Sequence, residues 1–151
     1  MIWVIDASVA VRWFIEDEAH PHANDVLEKA VQYPEIFAVP ELFAFEVYSV
    51  LQRVHPAGIQ AYIDGILPLL QGGIFRQPMT KSLAISAEPF IKKGLTGYEA
   101  CYAALAKQLR GRWITFDKKA HRCIEKLRIS FLLGGRTMPP KWPELGQLGS
   151  S

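Results

Sequence analysis

Four acidic side chains stand where acids are uncommon. Asp6 directly follows the apolar run Ile2-Trp3-Val4-Ile5, which suits a strand buried on both faces, so its carboxylate lies at the carboxyl end of that strand. Asp117 follows Trp113-Ile114-Thr115-Phe116 in the same way. Both also suit the N-cap of a following helix. Glu46 lies in the segment Leu42-Phe43-Ala44-Phe45-Glu46-Val47-Tyr48-Ser49-Val50-Leu51, which is apolar nearly all round and reads as a buried helix. An ionised carboxylate there is costly unless a charge faces it; a divalent cation would serve, and so would Arg53 two turns on. Glu99 follows Thr96 by three, the spacing of a capping box. Each acid alone has an ordinary structural role. Gathered at one mouth of a sheet they would raise one another's pKa values unless a hard cation sat among them, and Mg²⁺ or Mn²⁺ prefers such oxygen ligands.

The elements that would position these acids alternate. Strands are expected at 2–5, 36–39, 74–77, 113–116 and 131–133. Helices are expected at 7–16, 20–33, 40–55 with Pro40 as first residue, 57–70 with strain near Pro68, 80–93 with a kink at Pro89, 96–109 and 118–127. Short all-apolar strands alternating with helices imply an α/β fold with a mostly parallel sheet, whose sites lie at the carboxyl ends of strands. One domain is expected over 1–140, with a Pro-rich tail at 141–151 whose end, Gly146 to Ser151, reads as loose.

Composition narrows the classes. Half of the 151 residues are hydrophobic and 21% charged, which excludes a disordered chain. No apolar run approaches a membrane span, and the start of the chain has neither a basic n-region nor a cleavage site, so no signal peptide or membrane anchor is expected. Cys101 and Cys123 form no CxxC and read as core fillers, which favours a reducing, cytoplasmic setting. The net charge of +2 is uneven: residues 1–106 hold 7 Lys and Arg against 12 Asp and Glu, net −5, and residues 107–151 hold 10 against 3, net +7. A basic third joined to an acidic remainder suits a polyanion beside a cation site, or a solvated lysine-rich face. Lys118, Lys119 and Arg122 would bring that charge close to Asp117 and could grip a phosphate backbone. Ser8 and Thr115 could hydrogen-bond a carboxylate, a water or a phosphate, or tie down local backbone. His20, His22, His55 and His121 show no convincing ligand spacing and read as surface or helix-end residues; Trp3, Trp13, Phe43 and Phe45 read as core.

The segments around the four acids, in order, resemble the motifs of PIN domains. Ile5-Asp6-Ala7-Ser8-Val9 with Trp13-Phe14 is similar to the first, and Val39-Pro40-Glu41-Leu42 leading to Glu46-Val47 to the second. Leu95-Thr96-Gly97-Tyr98-Glu99-Ala100 with Tyr102 is similar to the third, and Ile114-Thr115-Phe116-Asp117 to the fourth. The resemblance covers roughly residues 2–133, and the length looks like that of VapC toxins. It implies a three-layer α/β/α sandwich with four or five short strands and a Mg²⁺- or Mn²⁺-dependent endoribonuclease in which Asp6, Glu46, Glu99 and Asp117 hold the metal. It further implies RNA as substrate, a VapB-type antitoxin as partner and a homodimer, with Trp13, Phe14 and Tyr48 as contact candidates. The third acid of the family is usually Asp; Glu99 keeps the charge and reaches one methylene further. That departure supports a rival reading, a PIN-fold RNA- or protein-binding module with weak or lost nuclease activity.

Overall fold

The computed structural model describes residues 1–144; the expected loose end from Gly146 to Ser151 lies outside them. Five strands, β1 (Trp3–Ile5), β2 (Phe37–Pro40), β3 (Phe75–Gln77), β4 (Arg112–Thr115) and β5 (Ser130–Leu132), form one sheet in the order β3-β2-β1-β4-β5. Every pairing is parallel. The central strands β1 and β4 are buried almost throughout, as their unbroken apolar runs require. Helices connect the strands and complete the α/β/α sandwich: α1 (Ala7–Val11), α2 (Pro21–Gln32), α3 (Leu42–Val54), α4 (Gly58–Ala61), α5 (Leu67–Gln71), α6 (Lys81–Lys92), α7 (Gly97–Gln108) and α8 (Lys118–Ile124). Among the described residues no helix is long and apolar enough to cross a membrane.

Four expectations are corrected. The first helix ends at Val11 rather than near residue 16. The N–H groups of Arg12, Trp13 and Phe14 turn back by three residues, to Val9, Ala10 and Val11, so the chain tightens and brings Trp13 inward, where its indole donates to the Ala23 carbonyl at 2.8 Å. Pro40 is not the first helical residue; it closes β2 opposite Gln77. It lies beyond the last residue of β2 paired with β1, where a missing N–H costs nothing, and Glu41 takes the position before α3 without a side-chain cap. Helix α3 is not buried all round, because Phe45 is 69% and Tyr48 43% exposed. Phe45 is therefore no core residue, whereas Trp3 and Phe43 are. Of the three contact candidates, Trp13 and Phe14 pack against the subunit's own core and Tyr48 is exposed.

The strain expected near Pro68 appears as a π turn over Tyr62–Ile66 joining α4 to α5. Pro68 has no N–H to return to the preceding turn, and the wider turn absorbs the fault. Helix α8 loosens into a 3₁₀ turn, Glu125–Leu127, with Arg128 left-handed at φ 57°. Helix α6 carries Pro89 inside it. Cys101 is buried and Cys123 half-buried, and both are free thiols.

The described part of the C-terminal segment is held against the core. Trp142 meets Trp3 edge-on at 5.0 Å and Phe37 at 5.9 Å, and its indole donates to Asp25 Oδ2 at 3.0 Å. Asp25 also pairs with the buried Lys29 at 2.8 Å. Trp142→Ala is expected to cost about 2 kcal/mol, roughly half the loss for a fully buried aromatic, read as a lower urea midpoint at unchanged slope.

Candidate functional site

The strand order runs from β1 through β2 to β3 in one direction and through β4 to β5 in the other, so the topology switches between β1 and β4. In an open parallel sheet, that switch opens a crevice at the carboxyl ends of the strands. Asp6 leaves β1 at this point, and Asp117 stands two residues beyond β4. Helix α3 follows β2 and helix α7 precedes β4, so each starts at the same edge of the sheet and runs back along it. Glu46 is in the second turn of α3 and Glu99 in the first turn of α7.

Asp6 is the best-held of the four. Its Oδ1 accepts from the Trp113 indole at 3.1 Å, and its Oδ2 from the Ser8 backbone N–H and the Thr115 hydroxyl, each at 3.1 Å. Burial pushes its pKa up, and these hydrogen bonds draw it partly back. Thr115 Oγ1 in turn accepts from the Asp117 N–H at 3.0 Å, and Ser8 Oγ from the Phe116 N–H at 3.1 Å. The two hydroxyls thus tie the end of β1 to the end of β4. They act on the carboxylate and on the backbone together, so the two roles open in the sequence are both filled. Asp6 caps α1 and Asp117 caps α8, the latter through Oδ1 accepting from the Ala120 N–H at 3.0 Å.

Glu46, half-buried, is the unsatisfied member of the set. Its carboxyl is pushed up to about 7, first by burial and then by the charges of Asp6 and Glu99. The Tyr102 hydroxyl stands near it and draws it slightly down. Even so, neither Glu46 Oε1 nor the Tyr102 hydroxyl has a hydrogen bond of good geometry, although both atoms are buried. Arg53, the ion-pair partner open in the sequence, forms no such pair among the described residues.

Glu99 completes a capping box. Its Oε1 accepts from the Thr96 N–H at 2.8 Å, and Thr96 Oγ1 accepts from the Glu99 N–H at 3.1 Å. One carboxylate oxygen is thereby engaged with backbone. Among the described residues no three His, Cys, Asp or Glu side chains stand close enough to hold a metal ion together. The donor set nevertheless suits a hard cation. An orphaned buried carboxylate oxygen, raised by two like charges, is the group that such an ion would satisfy.

Two residues have a part at the site that the sequence does not assign them, although Tyr102 stands in the third motif. Trp113 donates to Asp6, and Tyr102 stacks on Trp113 with centroids 5.7 Å apart and planes at 14° while its hydroxyl faces Glu46. Their one faint signal is that a buried indole N–H or phenol needs a polar partner. Lys118, Lys119 and Arg122 are exposed on α8, which starts next to Asp117. Arg12 lies 4.1 Å over the Phe116 ring beside them, with His20 edge-on to the same ring at 5.4 Å. His20 and His55 cap helix ends, but His121 turns inward, its Nδ1 2.7 Å from Ser130 Oγ.

Solved structures with the same fold include one described as a toxin–antitoxin complex, from Klebsiella pneumoniae. FitAcB from Neisseria gonorrhoeae superposes with a TM-score of 0.62 at 14% identity, covering 82% of this chain and 94% of that one. VapC20 of Mycobacterium tuberculosis, described as a toxin that cleaves the sarcin–ricin loop, gives 0.60 at 12% identity over 80% of this chain and 93% of its own. VapBC2 from Rickettsia felis, solved on a DNA fragment from its promoter, gives 0.58 at 13% identity, covering 85% and 93%. At such identities the likeness speaks for the fold. No curated protein matches the chain. The PIN domain model matches residues 3–126, which spans all four acids, and the chain belongs to the PIN domain family.

Proposed function

We propose that this chain is a divalent-metal-dependent endoribonuclease acting as the toxin of a VapBC-type pair in the cytoplasm. The observation that carries the reading is Glu46, a half-buried carboxylate with a buried, unpartnered oxygen that feels both Asp6 and Glu99. Asp6, Glu46, Glu99 and Asp117 would hold the cation, directly or through water. A bound Mg²⁺ or Mn²⁺ would supply a more acidic water and offset charge on the scissile phosphate. The chain's own part is positional. Trp113, Ser8 and Thr115 orient Asp6, and Tyr102 crowds Glu46. Lys118, Lys119 and Arg122 present exposed cations to the RNA backbone beside Asp117. A toxin–antitoxin complex among the similar structures supports a VapB-type partner; a homodimer is part of the same proposal, and both are to be read by light scattering with and without a co-expressed small partner.

A second reading has its own observation. The Glu99 carboxylate is spent partly on its capping box, which favours a PIN-fold binding module with weak or lost cleavage. Structured RNA incubated with Mg²⁺ or Mn²⁺, against an EDTA control, separates the two. The nuclease is expected to cut only with metal, and cutting that persists in EDTA refutes the mechanism. Glu99→Asp, which restores the family's usual residue, is expected to change rate or metal preference about tenfold in either direction if Glu99 is a ligand, since Mg²⁺ tolerates little error in ligand position. An unchanged profile would confine Glu99 to the cap.

A further inference from the structure

The basic third of the chain is divided between the two edges of the sheet. Lys118, Lys119 and Arg122 lie at the start of α8, near Asp117, whereas Arg112 opens β4 and Arg128 precedes β5 at the opposite edge. Helix α8 runs from the first edge to the second. Lys118 and Arg122 follow one another at four-residue spacing along α8 and Lys126 stands in the 3₁₀ turn past it, all three exposed, so basic side chains run the length of the helix. At its far end is a cleft of about 420 Å³ lined by Arg112, His121, Glu125, Lys126, Ser130 and Phe131, among others.

The charges around this cleft are unbalanced. Arg112 is half-buried with its guanidinium 5.7 Å from the centre of the Phe131 ring, and both its burial and the neighbouring charge of Arg128 push its pKa below the usual range. No ion pair joins Arg112, Lys126 or Arg128 to a carboxylate among the described residues. The acid at the rim, Glu125, reaches His121 Nε2 instead, at 3.8 Å. His121 is held on its other side by the buried Ser130. Cations without a carboxylate partner around a mostly polar cleft are what an incoming anion relieves.

We propose that this cleft at the amino edge is a second RNA contact, holding a backbone phosphate of a strand that follows α8 away from the carboxylate mouth. The assignment to RNA rests on the nuclease reading. It makes the chain a reader of RNA length, because only a strand reaching both edges gains the contact.

The test uses the full chain carrying Asp6→Asn, in EDTA, with fluorescently labelled RNAs of about 20 and about 2 nucleotides, the shorter unable to span α8, followed by anisotropy. Adding Lys126→Gln and Arg128→Asn is expected to weaken binding of the longer RNA about tenfold and to reduce the salt slope by about two, one for each cation withdrawn from the phosphate backbone. The loss for the shorter RNA is expected to be smaller. Asn suits the left-handed backbone at position 128, and a melting curve checks the fold. Lys81→Gln on α6 serves as the charge control, with no expected effect. Unchanged affinity and slope in the double variant overturn the proposal even where cleavage is intact. So does an equal loss from Lys81→Gln, which marks a diffuse charge effect, and so does failure of the parent to bind the longer RNA. If no RNA is cut with either metal while binding still depends on the cleft, the cleft stands and the nuclease reading falls.

Discussion

Asp6→Asn is expected to abolish metal-dependent RNA cleavage, by at least about a hundred- to a thousandfold, while the protein stays folded. Removing one negative charge from the proposed site forfeits several kcal/mol of charge stabilisation, and each 1.36 kcal/mol is about tenfold in rate. The hydrogen bonds make the stability arm informative. Asp6 accepts from three donors, the Trp113 indole on one oxygen and the Ser8 N–H and Thr115 hydroxyl on the other. An Asn side chain offers one acceptor oxygen. Its NH₂ must face either the indole or the Ser8 N–H, which leaves one donor unmatched at a cost of about 1–3 kcal/mol. Against that, the substitution removes a carboxylate whose ionised form is disfavoured by burial. The opposing effects leave the melting temperature within a few degrees of the parent. A residue that serves only as the N-cap of α1 predicts intact cleavage, since Asn caps as well as Asp. Cleavage that survives this substitution refutes a metal role for Asp6.

The second large effect is on stability against pH. The Glu46 carboxyl stands at about 7 in the fold against an ordinary 4.5. The folded state therefore keeps a proton that the unfolded chain releases. Stability associated with Glu46 is full below pH 4.5, is lost progressively as pH rises to about 7, and is level beyond. A rise of that size, reduced for partial solvent screening, corresponds to about 2–3 kcal/mol. Glu46→Gln is expected to gain about this amount in metal-free protein above pH 7 and nothing below pH 4.5, a rise in melting temperature of about 4–12 °C at pH 8. A divalent cation reverses the logic. Mg²⁺ or Mn²⁺ is expected to stabilise the parent at pH 8 and to do so less as pH falls through 7, because the ion must displace the proton on Glu46. Glu46→Gln should lose most of that response. Identical metal-dependent changes in melting temperature in parent and variant would separate Glu46 from any metal site, and a flat pH difference between them would show that Tyr102 or solvent satisfies its carboxyl.

Much of the architecture is legible in the chain because it is local. Unbroken runs such as Ile2-Trp3-Val4-Ile5 announce strands buried on both faces, and the alternation of such runs with helices allows little besides a parallel α/β sheet. The caps at Asp6, Thr96 and Asp117 follow from side chains that reach backbone two or three residues away. The order of the four acids carries the family resemblance, and the match over residues 3–126 agrees with it.

Other features depend on neighbours that no short window contains. The order β3-β2-β1-β4-β5, which puts Asp6 beside β4, is a matter of which strand pairs with which. Pro40 reads as a helix start because its actual partner, Gln77, lies 37 residues on in the sequence. Phe45 reads as core because composition cannot say which face of α3 the sheet leaves uncovered. Trp113 and Tyr102 meet Asp6 and Glu46 only once α7 has packed across β1 and β4. The division of the basic third has the same origin: Arg112 and Lys118 are six residues apart, yet the strand between them carries them to opposite edges of the sheet. Sequence periodicity reports which residues want burial or a cap; tertiary packing decides which buried groups face one another, and the chemistry at Glu46 belongs to that second kind.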